Sequence, residues 1–354
     1  MVCGELDRLT RCIPLSSQCV FPLYLTASQM TQIMQPRKLT HPTARQRIAA
    51  TIGHLYPLYS GCGSFVESRM MRMIAGHNNR GLVLARLRNG LRTYVRLDEH
   101  SGRMIYYAGD VDRKLTWICS RIVRPGDAVI DIGANSGLIT FHLSGLVGPS
   151  GTVLAVEPNP ELADLLRQST EYNNVDNISV CEYALGEHAS SMRLTIPTGY
   201  SDRASLVREF DGMDSDSMTV HVARLDDVLP DSIDHIRLMK IDVEGFESEV
   251  LWGATNLFRT MPPDCVLFEF KHIDVHPSQH PVIRFLRDCG YQFMAIPKQL
   301  CRMKLRWFDP DHDPMEGHDL LACRMGDVGQ DVSQRVRVAR NVETRGKRAP
   351  EATP

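Results

Sequence analysis

The sequence predicts a doubly wound α/β domain with a mostly parallel sheet, preceded by an N-terminal extension. From residue 124 onwards, short apolar runs alternate with segments of helical periodicity. The runs are almost continuously apolar, which is typical of strands covered by helices on both faces. Of the 354 residues, 43% are hydrophobic and 23% are charged. This composition forms a globular core, and the length suits one large domain or two small ones.

Charge and hydropathy argue against several classes of protein. A net charge of −2 argues against a chain that coats nucleic acid, so no nucleic-acid partner is expected. No apolar run approaches the roughly 18 residues of a membrane-spanning helix. The apolar segment 13–25 contains Pro14 and Pro22 and follows acidic residues, which makes it a poor secretory signal. The ten cysteines form no CxxC pair and are interpreted as reduced core residues, so a cytoplasmic protein is expected.

The chain divides into four predicted regions. These are an N-terminal extension (1–80), partly helical or disordered; a β-hairpin or meander with a helix (81–123); the α/β domain (124–325); and a basic, disordered tail (326–354). Asn89-Gly90 between two alternating runs predicts a hairpin, because both turn residues tolerate positive φ. Residues 103–108 are expected to add a third strand, and the apolar residues between 111 and 122 share one helical face. The tail is rich in arginine and poor in core residues.

Within 124–325, each apolar run predicts a strand and each periodic segment predicts a helix. Asn159 followed by Pro160 predicts a helix start, since asparagine caps helices and proline suits their first turn. Residues 192–196 and 218–222 are expected to form two additional strands. The other expected strands are 128–132, 152–156, 178–183, 236–243, 265–270, 291–296 and 320–324, and the expected helices are 138–146, one from residue 160, 246–258 and 281–289.

The strongest local feature is a glycine-containing turn between the first predicted strand and helix of this domain. Its sequence is Asp131-Ile132-Gly133-Ala134-Asn135-Ser136-Gly137, and glycines there let the backbone turn sharply and approach a ligand closely. Ligands of open α/β sheets bind beyond the carboxyl ends of the strands. Glu157 ends the next predicted strand, where its carboxylate can accept hydrogen bonds from both hydroxyls of a ribose.

Two cofactors match these features. A nicotinamide dinucleotide also needs a glycine turn and a ribose carboxylate. However, Ala134 occupies the position of the second glycine that admits a pyrophosphate, and Asp131 would place a carboxylate beside the phosphates. A carboxylate suits the sulfonium and ammonium groups of S-adenosylmethionine, which carries no phosphate. The electrostatics therefore favour S-adenosylmethionine, with a nicotinamide-dependent oxidoreductase as the alternative.

A second feature is the charged end of the strand predicted at 236–243. Lys240, Asp242 and Glu244 interrupt an apolar run, and burying the first two without a partner or ligand is costly. The carboxyl end of the strand would place them near the cofactor. They are either functional or a structural Lys–Asp pair followed by a glutamate that caps the next helix. Glu269 is a similar charged residue in the next apolar strand.

These motifs resemble those of the FkbM family of S-adenosylmethionine-dependent methyltransferases. The glycine turn and the segment Lys240 to Gly245 are together specific, and family members often carry a Tyr-Glu pair where this chain has Asp110-Val111-Asp112. The matching segments follow the family's order over about residues 105–300: Pro125-Gly126-Asp127, Asp131 to Gly137, Glu157-Pro158-Asn159-Pro160, Ala184-Leu185-Gly186, Leu225-Asp226-Asp227, Lys240 to Gly245 with Glu247, Gly253-Ala254, and Phe268-Glu269-Phe270.

The resemblance implies the class I methyltransferase fold, with a seven-stranded, mostly parallel sheet and one antiparallel strand. It also implies methyl transfer, typically to a hydroxyl of a sugar, lipid-linked glycan or natural product. By position, the turn would hold the methionine moiety, Glu157 the ribose, and Ala184-Leu185 would flank the adenine. The cofactor-binding residues implied in this way are Asp131, Gly133, Ala134, Asn135, Gly137, Glu157, Pro158, Asn159, Ala184 and Leu185.

The sequence thus predicts an O-methyltransferase with a small-molecule, sugar or glycan acceptor. Such transfer needs mainly in-line placement of the acceptor oxygen, and a positioned base that removes its proton adds to the rate. Asp242 and Glu244 are the candidates for that base or for orienting the acceptor, and Lys240 is the candidate for holding Asp242. No metal ligands are predicted. The alternatives are the oxidoreductase and a non-catalytic regulatory or scaffold protein on the same fold, and the oligomeric state is left open.

Overall fold

The chain before the central sheet forms short helices around a β-hairpin. The structure, a computed structural model, describes residues 39–76, 81–208, 210, 212–270, 275–315, 317–336 and 338. Predictions for residues 1–38, including the segment 13–25, lie outside these described residues. The hairpin about Asn89-Gly90 is confirmed, with its two strands antiparallel. The elements are α1 (Ala44–His54), α2 (Cys62–Val66), α3 (Arg69–Ala75), β1 (Leu82–Arg86), β2 (Arg92–Arg96), α4 (His100–Ala108) and α5 (Arg113–Ile122).

Helix α4 occupies the position of the third strand expected at 103–108, so that prediction was wrong. The run Met104–Ala108 is apolar and partly aromatic, which favours a strand locally. Seven of the nine residues of α4 are buried, so the helix is enclosed by the rest of the fold on most of its surface. It packs tightly on β2, since a Cβ on Gly102 would lie 1.9 Å from the carbonyl oxygen of Arg96. Tertiary packing therefore overrides the local preference.

An alternation of strands and helices follows, as the apolar runs predict. Asn159 caps α7 by accepting a hydrogen bond from the Glu161 amide (3.0 Å), and Pro160 begins that helix. The helix expected over 246–258 is instead two helices that meet at Gly253. A Cβ on Gly253 would lie only 2.1 Å from the carbonyl oxygen of Gly186. The elements are β3 (Ala128–Ile132), α6 (Leu138–Val147), β4 (Thr152–Val156), α7 (Pro160–Asn173), β5 (Ile178–Cys181), β6 (Ala184–Leu185), β7 (Ser190–Pro197), β8 (Ser215–Ala223), α8 (Leu225–Val228), β9 (Leu238–Ile241), α9 (Glu247–Trp252), α10 (Thr255–Thr260), β10 (Cys265–Glu269), α11 (Pro281–Asp288), β11 (Tyr291–Ile296), β12 (Arg306–Phe308), β13 (Asp319–Arg324) and α12 (Asp327–Arg335).

The central sheet of the described chain has eight strands in the order β12-β11-β13-β10-β9-β3-β4-β5. Strands β5, β4, β3, β9 and β10 are parallel, whereas β13 is antiparallel to both β10 and β11. Seven strands match the expected sheet with one antiparallel member, and the edge strand β12 is additional. The chain changes direction across the sheet between β3 and β9, so their carboxyl ends border the crevice in which such sheets bind ligands.

Helices cover both faces of this sheet. Alternate strand residues enter two cores: Ile130 and Met239 pack on one face, and Val129 and Leu238 pack on the other. Strands β6, β8 and β7 form a separate small sheet in that order. No helix in the described part of the chain is both long and apolar enough to cross a lipid bilayer.

Helix α12 lies in the region predicted to be a disordered tail, so that prediction was wrong for residues 327–335. Val332 and Val336 are 0% exposed and join one core of the central sheet. Asp331 pairs with Arg237 (3.0 Å) and with Arg124 (2.6 Å). The helix is mostly polar and has few apolar residues, so its own sequence does not predict it. It is stabilised by packing of those apolar residues on the folded domain.

Candidate active site

The glycine turn joins β3 to α6 and closely contacts the end of β9. Gly133 has a φ of +76°, and a Cβ there would lie 1.9 Å from the carbonyl oxygen of Asp242. Gly137 has a φ of +81°, and a Cβ there would lie 2.4 Å from the Leu166 side chain. The Gly133 amide donates a hydrogen bond to the carbonyl oxygen of Val156 (2.9 Å). Only glycine suits both the conformation and the spacing at these two positions, so the turn joins the ends of β3, β4 and β9.

Glu157 ties the same turn to the end of β4. Its Oε2 accepts a hydrogen bond from the Asn135 amide (2.7 Å), and its Oε1 accepts one from the Asn159 amide (2.9 Å). Burial raises the pKa of Glu157 to about 7, although the two amide hydrogen bonds oppose this shift. Each carboxylate oxygen has more than one acceptor site, so both retain capacity for hydroxyl donors in the adjacent cavity.

Lys240 forms a buried ion pair beneath the turn. Asp131 and Lys240 are partners in register on β3 and β9, with Lys240 Nζ 3.0 Å from Asp131 Oδ1. The ammonium also donates to the carbonyl oxygen of Gly133 (2.8 Å) and lies 3.6 Å from Asp242 Oδ2. Thr140 Oγ1 donates to Asp131 Oδ2 (2.6 Å). Burial opposes the charge on Lys240, but Asp131 and Asp242 outweigh burial and raise the pKa of the ammonium. Lys240 is therefore a cation that positions the turn.

Two cavities meet at the carboxyl ends of β3 and β9. The Glu157 cavity, which Glu157 lines, has a volume of about 110 Å³. The Glu269 cavity, which Glu269 lines, has a volume of about 270 Å³. Five residues line both: Gly133, Asn135, Asp202, Asp242 and Glu244. A ligand that spans the two cavities would pass these five residues.

The structure brings most of the predicted site residues to these cavities. Four predicted residues, Gly133, Asn135, Asp242 and Glu244, line both cavities. Of the other predicted residues, Glu157, Pro158, Ala184 and Leu185 line the Glu157 cavity, and Ala134 and Lys240 line the Glu269 cavity. Asp131, Gly137 and Asn159 line neither cavity. Asp131 is fully buried behind Lys240, Gly137 precedes α6, and Asn159 caps α7. These three residues support the turn and Glu157 from behind.

Several residues that line the cavities were not predicted. Asp202 and Leu206 reach the Glu157 cavity from the loop after β7, a segment outside the alternation of strands and helices that located the other residues. Ser101 reaches the Glu269 cavity from α4, part of which the sequence pattern predicts to be a strand. Asp112 and Asp319 line the same cavity. Asp112 is detectable from the sequence because it stands where members of the resembling family often carry a Tyr-Glu pair.

The Glu269 cavity has an excess of carboxylates. Lys114 compensates two of them, since its Nζ lies 3.1 Å from Asp112 Oδ2 and 2.9 Å from Asp319 Oδ2. In the described chain, Lys240 is the only lysine or arginine on the cavity wall. This wall repels anionic groups and favours neutral hydroxyl donors or cations. The carboxylates are Asp112, Asp202, Asp242, Glu244, Glu269 and Asp319.

Three of these carboxylates are close enough to share a metal ion. One oxygen each of Asp242, Glu244 and Glu269 lies within 4.8 Å of the others, and carboxylate oxygens suit Mg²⁺ and Ca²⁺. Basic side chains already face two of them: Lys240 Nζ is 3.6 Å from Asp242 Oδ2, and Arg208 Nη1 is 3.7 Å from Glu244 Oε2. The sequence-based expectation of no metal stays a prediction.

The two cavities fit the parts of S-adenosylmethionine. Leu185 and Leu206 give the Glu157 cavity an apolar wall suited to adenine, and Glu157 has spare acceptor capacity for ribose hydroxyls. A Cβ at Gly133 would fill the space beside the turn, and the neighbouring carboxylates suit the ammonium and sulfonium groups of the cofactor. Among the described residues, no lysine or arginine lines the Glu157 cavity, so a pyrophosphate would find no countercharge there.

This strand order is that of the class I methyltransferase fold, and the crevice at its switch point is rich in carboxylates. Comparison with known proteins is more specific. The family description "Methyltransferase FkbM domain" matches residues 131–293. The 31-O-demethyl-FK506 methyltransferase FkbM of Streptomyces tacrolimicus is 30% identical over 202 residues, covering 49% of this chain and 75% of that relative. The chain belongs to the FkbM family of methyltransferases.

Two fungal relatives extend this comparison. Methyltransferase 1 of Beauveria bassiana is 28% identical over 148 residues, covering 36% of this chain and 59% of the relative. Methyltransferase sdnD of Sordaria araneosa is 28% identical over 194 residues, covering 46% of this chain and 73% of the relative. The match thus spans less than two thirds of the Beauveria protein. The family membership favours S-adenosylmethionine over the nicotinamide alternative.

Proposed function

We propose that this protein transfers a methyl group from S-adenosylmethionine to a hydroxyl group of a sugar, glycan or natural-product acceptor. The observation that carries the proposal is the position of Asp242 and Glu244, which line both the Glu157 cavity and the Glu269 cavity. Carboxylates at this junction face the cofactor on one side and an acceptor on the other. The Streptomyces relative is named for an O-demethyl substrate, which supports an oxygen acceptor here as well.

In this proposal the Glu157 cavity holds the nucleoside part of the cofactor. Glu157 accepts hydrogen bonds from the ribose hydroxyls, and Ala184 and Leu185 flank the adenine. The turn from Gly133 to Asn135 lies beside the methionine moiety, where its backbone can approach closely. Lys240 keeps the turn in place through the Gly133 carbonyl oxygen.

When bound, the cofactor supplies an electrophilic methyl group. The task of the chain is to place the acceptor oxygen and to remove its proton. Asp242 accepts that proton at its carboxylate, and Glu244 accepts a hydrogen bond that orients the acceptor. Lys240 is unsuited to be the base, because its raised pKa keeps it protonated. Its ammonium instead lies 3.6 Å from Asp242 Oδ2, where it helps to hold that carboxylate at the junction of the two cavities.

The negative charge of the Glu269 cavity restricts the kinds of acceptor molecule that can bind there. Six carboxylates line this cavity, and Lys240, Lys114 and Arg208 compensate only part of their charge. The remaining negative charge disfavours an acceptor that carries a phosphate or carboxylate next to the reacting hydroxyl. Neutral polyhydroxylated molecules instead supply donors that the carboxylates accept. We therefore expect neutral sugars and polyketide-like alcohols to be better acceptors than their phosphorylated counterparts.

A labelled-transfer assay tests the proposal. The full chain is incubated with S-adenosylmethionine that carries a ¹³C-methyl group, and with panels of neutral polyols, their phosphate esters and the corresponding amines. Nuclear magnetic resonance of the products identifies the atom that is methylated. We expect the label on oxygen of a neutral acceptor. Asp242→Asn should lower turnover by roughly 10²–10⁴ and change cofactor affinity by only a few-fold.

The matched control is Asp309→Asn. Asp309 is a half-exposed carboxylate that contacts His312 and lines neither cavity, so its variant should keep the turnover of the unmodified protein. Methyl transfer to nitrogen would contradict the oxygen acceptor. Calorimetric binding of a nicotinamide dinucleotide in place of S-adenosylmethionine would contradict the whole proposal.

A further inference from the structure

A third cavity, of about 280 Å³, lies between the N-terminal elements and helices α5 and α6. We call it the Asp110 cavity after the acidic residue on its wall. Its volume is on the order of the smallest ligand pockets of proteins, about 300 Å³. Arg88 and Arg113 also line it, and Tyr59, Leu87 and Trp117 provide apolar surface. None of these residues lines the Glu157 or the Glu269 cavity.

Two guanidinium groups converge in this cavity. Arg88 Nη2 donates to the carbonyl oxygen of Tyr56 (3.0 Å), and Arg113 Nη1 donates to the same oxygen (2.9 Å). Among the described residues, neither arginine has a carboxylate oxygen within 4.0 Å. Burial and the like charge of the neighbouring Arg113 both lower the pKa of Arg88. An anionic group between them would relieve this repulsion, and arginine binds carboxylates in a bidentate geometry.

Asp110 places the opposite charge on the same wall without touching either arginine. It is 3% exposed, and its Oδ2 accepts a hydrogen bond from Thr116 Oγ1 (2.8 Å). Its Oδ1 has no hydrogen-bond partner among the described residues. A buried acceptor without a donor is unfavourable, so this oxygen favours a ligand that brings an N–H or O–H group.

We propose that the Asp110 cavity binds a small zwitterion of the α-amino-acid class. The carboxylate of the ligand lies between Arg88 and Arg113, and its ammonium group donates to Asp110 Oδ1. The ligand side chain packs on Trp117 and Leu87. A simple anion would leave Asp110 Oδ1 without a donor, and a simple amine would leave the two arginines with carbonyl acceptors only and no anionic partner. Only a ligand with both groups supplies a carboxylate to the arginines and a donor to Asp110.

This binding site is independent of the proposed methyl transfer. It is nevertheless a neighbour of the Glu269 cavity, because Leu138 lines both cavities and Asp112, two residues after Asp110, lines the Glu269 cavity. A ligand in the Asp110 cavity would therefore contact the segment from Asp110 to Asp112, which also borders the proposed acceptor cavity.

Calorimetric titration of the full chain with each standard L-amino acid tests the proposal. We expect at least one to bind, and its deaminated acid and decarboxylated amine to bind at least tenfold more weakly. Arg88→Gln and Asp110→Asn should each weaken binding of that amino acid by about ten- to hundredfold. Asp110→Asn is nearly isosteric, so it remains informative if Arg88→Gln does not fold.

The matched control is Arg92→Gln. Arg92 is an exposed arginine of the same hairpin, contacts Tyr172, and lies outside the cavity. Its variant should bind the amino acid as the unmodified chain does. S-adenosylmethionine affinity should stay within a few-fold in all three variants, which separates this site from the proposed active site. Absence of amino acid binding up to about 10 mM, or equal binding of the deaminated acid, would overturn the proposal.

Discussion

The ion pair beneath the glycine turn leads to a prediction about stability. Lys240 has two carboxylate neighbours that differ sharply in environment. Asp131 is 3.0 Å from its ammonium and its side chain is 0% exposed, whereas Asp242 is 3.6 Å away and its side chain is 42% exposed. The sequence alone is compatible with Asp242 as a catalytic residue or as the structural partner of Lys240. The geometry indicates that Asp131 is the structural partner.

The two carboxylates should therefore contribute very different amounts to stability. Asp131→Asn removes the charge that compensates a buried ammonium, a change that typically costs about 3–5 kcal/mol. The lower end is expected, because the Gly133 carbonyl oxygen still accepts a hydrogen bond from Lys240 at 2.8 Å. Asp242→Asn removes a longer and solvent-screened contact, worth about 0–1 kcal/mol.

Urea unfolding of the unmodified chain and both variants measures this difference. The slopes of the free energy against urea concentration should agree, so that the midpoints report stability alone. We expect a midpoint decrease for Asp131→Asn that is several times larger than for Asp242→Asn. Equal decreases would refute the assignment of Asp131 as partner, and a larger decrease for Asp242→Asn would assign it the structural role.

Three further predictions concern the turn, Glu157 and the final helix. Gly133→Ala places a Cβ 1.9 Å from the Asp242 carbonyl oxygen and should weaken S-adenosylmethionine binding, measured by calorimetry, more than tenfold. The control is Gly148→Ala: Gly148 also has a positive φ, +64°, but a Cβ there would have no atom within 4 Å, so binding should be nearly unchanged. The native pKa of Glu157 is about 7 and its ordinary value is 4.5, so the folded state retains a proton between these pH values and stability should fall as pH rises through this window. Glu157→Gln should remove this slope in unfolding measurements from pH 5 to 8, and an unchanged slope would assign the effect to other groups. Val332→Ala in α12 should cost roughly 1–3 kcal/mol in urea unfolding, and no loss would mean that the helix does not dock.

Local patterns were sufficient to locate most elements of the α/β domain and most of the candidate site. Apolar runs marked the buried strands, and Asn159-Pro160 marked the start of α7. The glycine turn was recognisable because close backbone approach and positive φ at Gly133 both require glycine. Glu157 was recognisable because a charged residue that ends a buried strand is unusual. Each of these signals depends on residues that are neighbours in the chain.

Other features depend on contacts between segments that are distant in the sequence. The run Met104–Ala108 has the composition of a strand, but it folds as a helix because β2 and the N-terminal helices enclose it. The apolar residues of α12 stabilise that helix only because they pack on the core of the domain. Local composition could not identify either case, because the deciding free energy comes from burial against another part of the fold.

Local sequence patterns are enough to predict the class of fold, the candidate cofactor crevice and many of the residues around it. The pairing of the charges depends on the tertiary structure. Strand register sets Asp131 beside Lys240, which leaves Asp242 exposed at the junction of two cavities. The fold also places Arg88, Arg113 and Asp110 around one cavity. Electrostatic energies depend on distance and burial, and neither quantity is defined until distant segments are packed together.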